Sequence, residues 1–332
     1  MAPRSRKTDM KCVSSTPVSE YALGIRSYFS IALACAFAAF SVLLQPAIGA
    51  EIDSGNRNYF EELKQKAKAG DDAAQIILGF AYQLGGDFSY QGECVIQDHN
   101  ESFKWYLMAA EQGNPAAQYV IGNSYSLGTG VTQDYKEAFK WFLKAAEQGV
   151  SDAQRDIGRS YATGTGVTQD SKESVNWFRK AAEQGDDFSQ AILGFAYFKG
   201  DGVIQDYKES VKWFRKAAEQ GDSMAQTRLG LAYYLGGIGV TQDLKEATKW
   251  FRKAAERGYA DAQNMLGLSY SLGKGVIQDF VQAHAWFNVA SANGFSSASE
   301  SRDELAKKMN PEQIGKAQEL AKEYFEKYQP EK

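Results

Sequence analysis

Apolar residues between Asp134 and Gly149 recur with a helical period. Ala138, Trp141, Phe142, Ala145 and Ala146 fall at i, i+3, i+4, i+7 and i+8, while Lys136, Lys140, Lys144 and Glu147 take the positions between them. The apolar groups therefore share one face, which predicts an amphipathic helix of roughly three to four turns, here helix B. Asp134 followed three residues later by Glu137 predicts its start: the aspartate accepts from free first-turn N–H groups and the glutamate reaches back to the capping residue. Gly149 predicts its end, because a left-handed C-terminal cap is costly for a residue with a Cβ. Upstream, from about Pro115 to Leu127, Ala117, Ile121 and Tyr125 lie at i, i+4 and i+8 and predict a second helix, helix A. The turn Gly128-Thr-Gly130 and Val131 join the two.

This pattern repeats along most of the chain. Its six tryptophans, Trp105, Trp141, Trp177, Trp213, Trp250 and Trp286, are separated by 36, 36, 36, 37 and 36 residues. The capping pair returns as Asp98/Glu101, Asp170/Glu173, Asp206/Glu209, Asp243/Glu246 and Asp279/Gln282. A fixed period of this length predicts a solenoid of one helix-turn-helix unit, since two antiparallel helices cannot bury their apolar faces alone. Recurrence of the tryptophans at one position of the helix B apolar face assigns all six to packing between neighbouring units.

The run Ala117-Gln118, Ile121-Gly122, Tyr125, Gly128-x-Gly130-Val131, Asp134, Trp141 and Ala145-Ala146-Glu147-Gln148-Gly149 resembles the Sel1-like repeat, a relative of the tetratricopeptide repeat. The resemblance covers roughly residues 70–294 six times over and implies an all-α fold, an α/α superhelical solenoid of about six 36-residue repeats with capping helices at both ends. It also implies an adaptor role in envelope assembly, signalling or host interaction, with the first helix of each repeat lining a concave groove.

The expected organisation is a targeting segment at 1–50, a linker and N-terminal capping helix at 51–69, repeats at 70–294 and C-terminal capping helices at 295–332, the repeats forming one elongated domain. Arg4, Arg6, Lys7, Lys11 and Arg26 precede an apolar run from Tyr28 to Leu44, and Pro46-Ala-Ile-Gly-Ala50 ends in small residues, the pattern of a secretory signal peptide. The expectation is an exported chain, periplasmic or secreted; the alternative is an uncleaved inner-membrane anchor at residues 28–44. Two repeats depart from the period. The first carries seven extra residues around Gly85–Glu93, near Cys94, and the fifth one extra residue in Gly236-Gly-Ile-Gly239. Asn310-Pro-Glu-Gln313 predicts the start of a final capping helix.

Charge and candidate chemistry narrow the function. The formal charge of the chain is −4, and residues 1–50 hold five basic and two acidic residues, so the remainder carries −7. That balance lacks the basic footprint of a nucleic-acid or anionic-lipid binder. With Cys94 alone left after residue 50, the remainder cannot form an internal disulfide. The two histidines read as a solvated first-turn residue, His99, and a packed one, His284, in a slot held by Phe103 or Phe139 elsewhere. No His/Cys set has metal-ligand spacing, and the Gly-x-Gly turns lack the lysine and Ser/Thr of a phosphate loop. The expectation is a protein without catalysis, cofactor or metal.

Positions repeated in every unit are required by stacking; those that vary are free to meet a partner. In helix A the variable positions stand one, five and eight residues after the Ala/Ser-Gln pair, on one face. Along this face the candidate partner-binding residues are Tyr119, Asn123, Arg155, Arg159, Phe195, Phe198, Leu231 and Tyr234. Aromatic anchors beside an arginine pair have the composition of an interaction hot spot. The leading expectation is a scaffold that binds a protein or peptide in the groove, with envelope carbohydrate binding as the alternative. A β-lactam or amide hydrolase is the third reading, disfavoured because no nucleophile–base pair is present and the paired cysteines of that Sel1-like subgroup are missing.

Overall fold

The computed structural model describes residues 59–329, except 86–88 and 91–92. The targeting segment and most of the insertion after Gly85 lie outside the described residues. Contacts along the backbone group the chain into two compact units, divided between Gln169 and Asp170, where the sequence predicts one domain. In a stack whose members touch only their neighbours, such a division needs no linker.

The first unit contains α1 (Tyr59–Lys68), α2 (Asp72–Leu84), α3 (His99–Glu111), α4 (Pro115–Leu127), α5 (Tyr135–Glu147) and α6 (Ser151–Thr163). Between α2 and α3 the insertion adds a short antiparallel ribbon, β1 (Ser89–Tyr90) with β2 (Glu93–Cys94), Ser89 opposite Cys94. The second unit contains α7 (Ser171–Glu183), α8 (Asp187–Lys199), α9 (Tyr207–Gln220), α10 (Ser223–Leu235), α11 (Leu244–Glu256), α12 (Ala260–Leu272), α13 (Phe280–Ala292), α14 (Ala298–Ala306) and α15 (Pro311–Lys327). Helix A and helix B alternate through both units.

The helix starts show why the period is fixed. Asp134 accepts from the backbone N–H of Lys136 at 2.8 Å and of Glu137 at 3.1 Å, and Asp98, Asp170, Asp206 and Asp243 make the same pair of bonds. The reciprocal half expected of Glu137 is not made. The backbone N–H of Asp134 donates to the carbonyl of Tyr125 at the end of α4, 2.9 Å away, so Glu137 turns outward to Lys140. The same tyrosine carbonyl bond holds Asp98, Asp206, Asp243 and Asp279. It ties each helix B to its own helix A and fixes the angle of the turn between them. A complete reciprocal cap forms at α15, where Asn310 and Gln313 satisfy each other's backbone N–H groups.

Packing follows from two devices repeated in each unit. First, the helix A glycine lets an aromatic ring lie on bare backbone: a Cβ at Gly122 would stand 2.5 Å from Phe142, and one at Gly194 2.5 Å from Phe214. Second, the buried glutamine of each Ala/Ser-Gln pair donates to the end of the preceding helix B, as Gln118 does to the Ala110 carbonyl at 3.2 Å and Gln190 to that of Ala182 at 3.1 Å. Its own oxygen accepts from the end of helix B of its own repeat, from Gln148 in the first case and Gln220 in the second. These bonds satisfy helix-end groups that burial would otherwise leave orphaned.

All six tryptophans are buried, as the pattern predicts. Lys144, Lys180, Lys216 and Lys253 lie over Trp141, Trp177, Trp213 and Trp250 at 3.5–4.2 Å from the ring centres. Trp286 is covered differently. Tyr324 and Tyr328, on and just after α15, bring their rings to 4.4 and 5.6 Å from it, which closes the array at its C-terminal end. At the other end α1 packs Leu63 and Ala67 against Ala74, Leu78 and Trp105.

Candidate partner-binding site

Three helices of the second unit enclose a cavity of about 260 Å³. From α8 come Phe195, Phe198 and Lys199; from α9, Tyr207, Ser210, Val211 and Phe214; from α10 and the turn after it, Arg228, Leu231, Ala232, Leu235 and Ile238. Phe195 stands edge-on to Phe214 with ring centres 5.0 Å apart, fixing the back of the cavity. Phe198 lies against Tyr207 at 5.5 Å and, with Leu235, forms an apolar mouth; the two are 41% and 62% exposed respectively. The Arg228 guanidinium sits over the Phe195 ring at 5.2 Å, where the face of an aromatic ring attracts a cation.

Of the eight candidate residues, Phe195, Phe198 and Leu231 are brought together here. Tyr234 does not line the cavity; its hydroxyl accepts from Lys274 at 2.9 Å and its ring leans on Phe251. The other four belong to the first unit. Tyr119 is 3% exposed and Asn123 is buried as well, so both are packing residues with almost no surface for a partner. The expectation for these two is corrected by their burial; the position of Tyr119 is buried also where it is filled by Ile76, Ala191, Thr227 and Asn264. The Tyr119 hydroxyl donates to Asp156 at 3.2 Å. Burial, with the Asp156 charge adding to it, pushes that hydroxyl well above the usual tyrosine range. Asp156 is itself raised by burial, against the pull of Arg159 and Arg155. Arg155 is held by Asp152 at 2.7 Å, and Arg159 reaches solvent 3.6 Å from Asp156.

Arg228 and Ile238 are among the cavity residues that fall outside the variable stripe read from the sequence. Arg228 stands two residues after the Ala-Gln pair, a position held elsewhere by Ile77, Val120, Asp156, Ile192 and Met265. Its variability is visible in the chain, and its spacing of three from Leu231 places it on the same face. Ile238 is the residue that lengthens the fifth repeat, and it packs against the Phe214 cluster from the turn.

Comparison with known proteins decides the family. The model of the Sel1 repeat matches residues 79–114, 115–150, 151–186, 188–222, 223–259 and 260–295. The chain belongs to the Sel1 repeat family. It is 35% identical to a Sel1 repeat protein from Oxalobacter formigenes, whose crystal structure aligns with a TM-score of 0.58 over 67% of this chain and 91% of that one. A protective antigen of uropathogenic Escherichia coli displaying the same repeat fold is 27% identical, with a TM-score of 0.43, over 84% of this chain and 95% of that one. The chitin synthase regulator SKT5 of Saccharomyces cerevisiae is 38% identical over 66 residues, which are 20% of this chain and 9% of that protein. Sel1 repeat proteins generally act as protein-interaction scaffolds, and the fold is typically non-catalytic. Among the described residues no group of three or more His, Cys, Asp or Glu could hold a metal ion, and no helix is long and apolar enough to cross a membrane.

Proposed function

We propose that this Sel1 repeat protein is an exported, non-enzymatic scaffold that holds a protein or peptide partner on the helix A face, anchored in the cavity of Phe195, Phe198 and Leu231. The observation that carries the reading is the cavity itself. Its mouth exposes Phe198 and Leu235, while Phe195 and Phe214 hold its wall in place, so a partner side chain meets a preformed apolar site. Preformed anchors save the ordering cost that otherwise consumes binding free energy. Arg159 and Tyr234 would supply outer polar contacts at the surface of their own units. Export rests on the basic leader and apolar run of residues 1–50.

The test places a photo-crosslinking residue at Leu235 in the full chain, expressed in its native cell, with and without Phe198→Ser. The reading predicts one specific crosslinked protein that Phe198→Ser removes while helicity and melting stay unchanged. An identical crosslinked set in both chains refutes it. Intact mass of the recovered chain tests export: the expected product lacks residues 1–50, and an unprocessed cytoplasmic product contradicts it.

A further inference from the structure

The charges at the cavity mouth say what kind of partner fits. Arg228 and Lys199 both line the cavity and both are exposed. Neither enters an ion pair among the described residues. That sets them apart from Lys104, Lys140, Lys212 and Lys249, each held by the glutamate three residues before it. The lining thus holds two cations and no acidic residue, on a chain of net charge −4. Arg228 is also held in place by the Phe195 ring, so its position requires no carboxylate of the chain.

The lengthened fifth repeat marks the same spot independently. In the second, third, fourth and sixth repeats the helix A to helix B turn reads Gly-x-Gly-Val, as in Gly128-Thr-Gly130-Val131; here it reads Gly236-Gly-Ile-Gly239-Val240. Gly236, Gly237 and Gly239 all take positive φ, at 68°, 73° and 83°, and the widened turn is closed by the Gly237 N–H donating to the Val240 carbonyl at 2.9 Å. The extra residue thereby delivers Ile238 to the cavity wall. The irregularity that breaks the period thus places an apolar wall beside the two cations.

We propose that the cavity takes one large apolar side chain of an acidic peptide segment, with Asp or Glu within two positions of that side chain meeting Arg228 and Lys199. This rests on the partner-binding reading above and deepens it. The apolar anchor supplies affinity by leaving water, and the carboxylates supply orientation and selection against basic segments. A volume of about 260 Å³ lies just below the range of small-molecule sites, roughly 300–1,000 Å³, and matches one or two side chains.

The experiment is a selection from a random dodecapeptide display library on the immobilised full chain, with counter-selection on the Phe198→Ser chain. Selected peptides are then measured by fluorescence anisotropy against the wild-type chain and against Lys199→Glu/Arg228→Glu, whose exposed substitutions leave the helices intact by circular dichroism. The expected peptides carry Phe, Leu or Trp within two positions of Asp or Glu. Replacing those acids by Gln, or reversing the two cations, weakens binding about tenfold, and raising the salt reduces the difference. Lys in place of the acids restores binding to the reversed chain. Cavity-dependent peptides that are neutral or basic overturn the acidic occupant and leave the partner-binding reading standing. Absence of any peptide sensitive to Phe198→Ser overturns both.

Discussion

Replacing Gly122 by Ala tests whether close helix–helix approach, rather than chain flexibility, is what the helix A glycine provides. A Cβ at that position would lie 2.5 Å from Phe142 Cδ1, 2.6 Å from Cε1 and 3.1 Å from Cγ. Carbon atoms rest at about 3.5–4.0 Å, so the ring would have to retreat by about 1 Å. Phe142 is buried, with Tyr119 5.6 Å away on one side, so it has little room to do so. Overpacking of this kind costs about 1–3 kcal/mol, and a contact this short belongs at the upper end. Against that, Gly to Ala in a helix interior returns about 1 kcal/mol. The expected net loss is about 2 kcal/mol. Gly315, inside α15, is the control, because a Cβ added there would meet no atom within 4 Å. At that position the propensity gain stands alone, and Gly315→Ala should stabilise by about 1 kcal/mol. The assay is urea unfolding followed by circular dichroism, with a third chain, Gly122→Ala/Phe142→Leu, in which the smaller side chain leaves space for the methyl group. Its stability should exceed the sum of the two single effects, by a coupling of about 1–2 kcal/mol. If Gly122→Ala stabilises as Gly315→Ala does, the packing argument is wrong.

Other substitutions test separate parts of the account. At Gly130 a Cβ would meet the His99 carbonyl oxygen at 2.1 Å in a residue of φ 72°, so Gly130→Ala should cost more than Gly122→Ala, by denaturation midpoint, and no side-chain replacement should rescue it. Arg257 occupies the slot from which Gln148 and Gln220 donate to the buried glutamine of their units, and the Gln226 oxygen is left without a partner. Arg257→Gln should therefore raise stability by about 1 kcal/mol, and an unchanged melting temperature would show that the slot carries no such bond. His284 is buried, its Nδ1 has no hydrogen-bond partner, and burial with the nearby Arg302 charge lowers its pKa, Asp303 opposing. A lowered folded pKa means the unfolded chain binds the proton more tightly, so this contribution is complete above the ordinary histidine value of 6.5 and is lost as pH falls below it. His284→Phe should abolish that part of the acid sensitivity. Melting temperatures of the two chains that stay parallel from about pH 7.5 to about pH 5, on either side of the ordinary value, would contradict the assignment. Tyr324→Ala removes the ring over Trp286 and the bond to Gln282, and should raise hydrogen exchange in α13 and α15 while leaving α3 to α6 as they were.

Almost all of the fold is readable from the chain because each repeat states it again. The limits of α4 and α5, the burial of the tryptophans and the capping role of the final helix follow from apolar spacing and glycine positions that recur six times. The capping boxes mislead for a local reason: Asp134 and Glu137 have the right spacing, but the Asp134 N–H is claimed by Tyr125, a tertiary bond that no local motif announces. The candidate site is half readable. Variation between repeats picks out Phe195, Phe198 and Leu231 as neighbours: Phe195 and Phe198 stand three apart on α8, and Leu231 holds the Phe195 position one repeat later, on α10. It fails at Tyr119 and Asn123 because a position can vary and still be buried, each repeat filling the same gap with a different volume. Ile238 stands out as an extra residue, yet a single inserted residue carries no signal of where its side chain will point.

Deleting Ile238 is the most direct test of the central claim. The deletion restores a regular turn, Gly236-Gly237-Gly239-Val240, and should leave the repeat array folded. Partners crosslinked from Leu235 in the native cell would be compared between this chain and the wild type. The account predicts that a specific partner is captured by the wild-type chain and lost on deletion, with helicity and melting unchanged. Retention of the same partner by a folded, Ile238-deleted chain would contradict it.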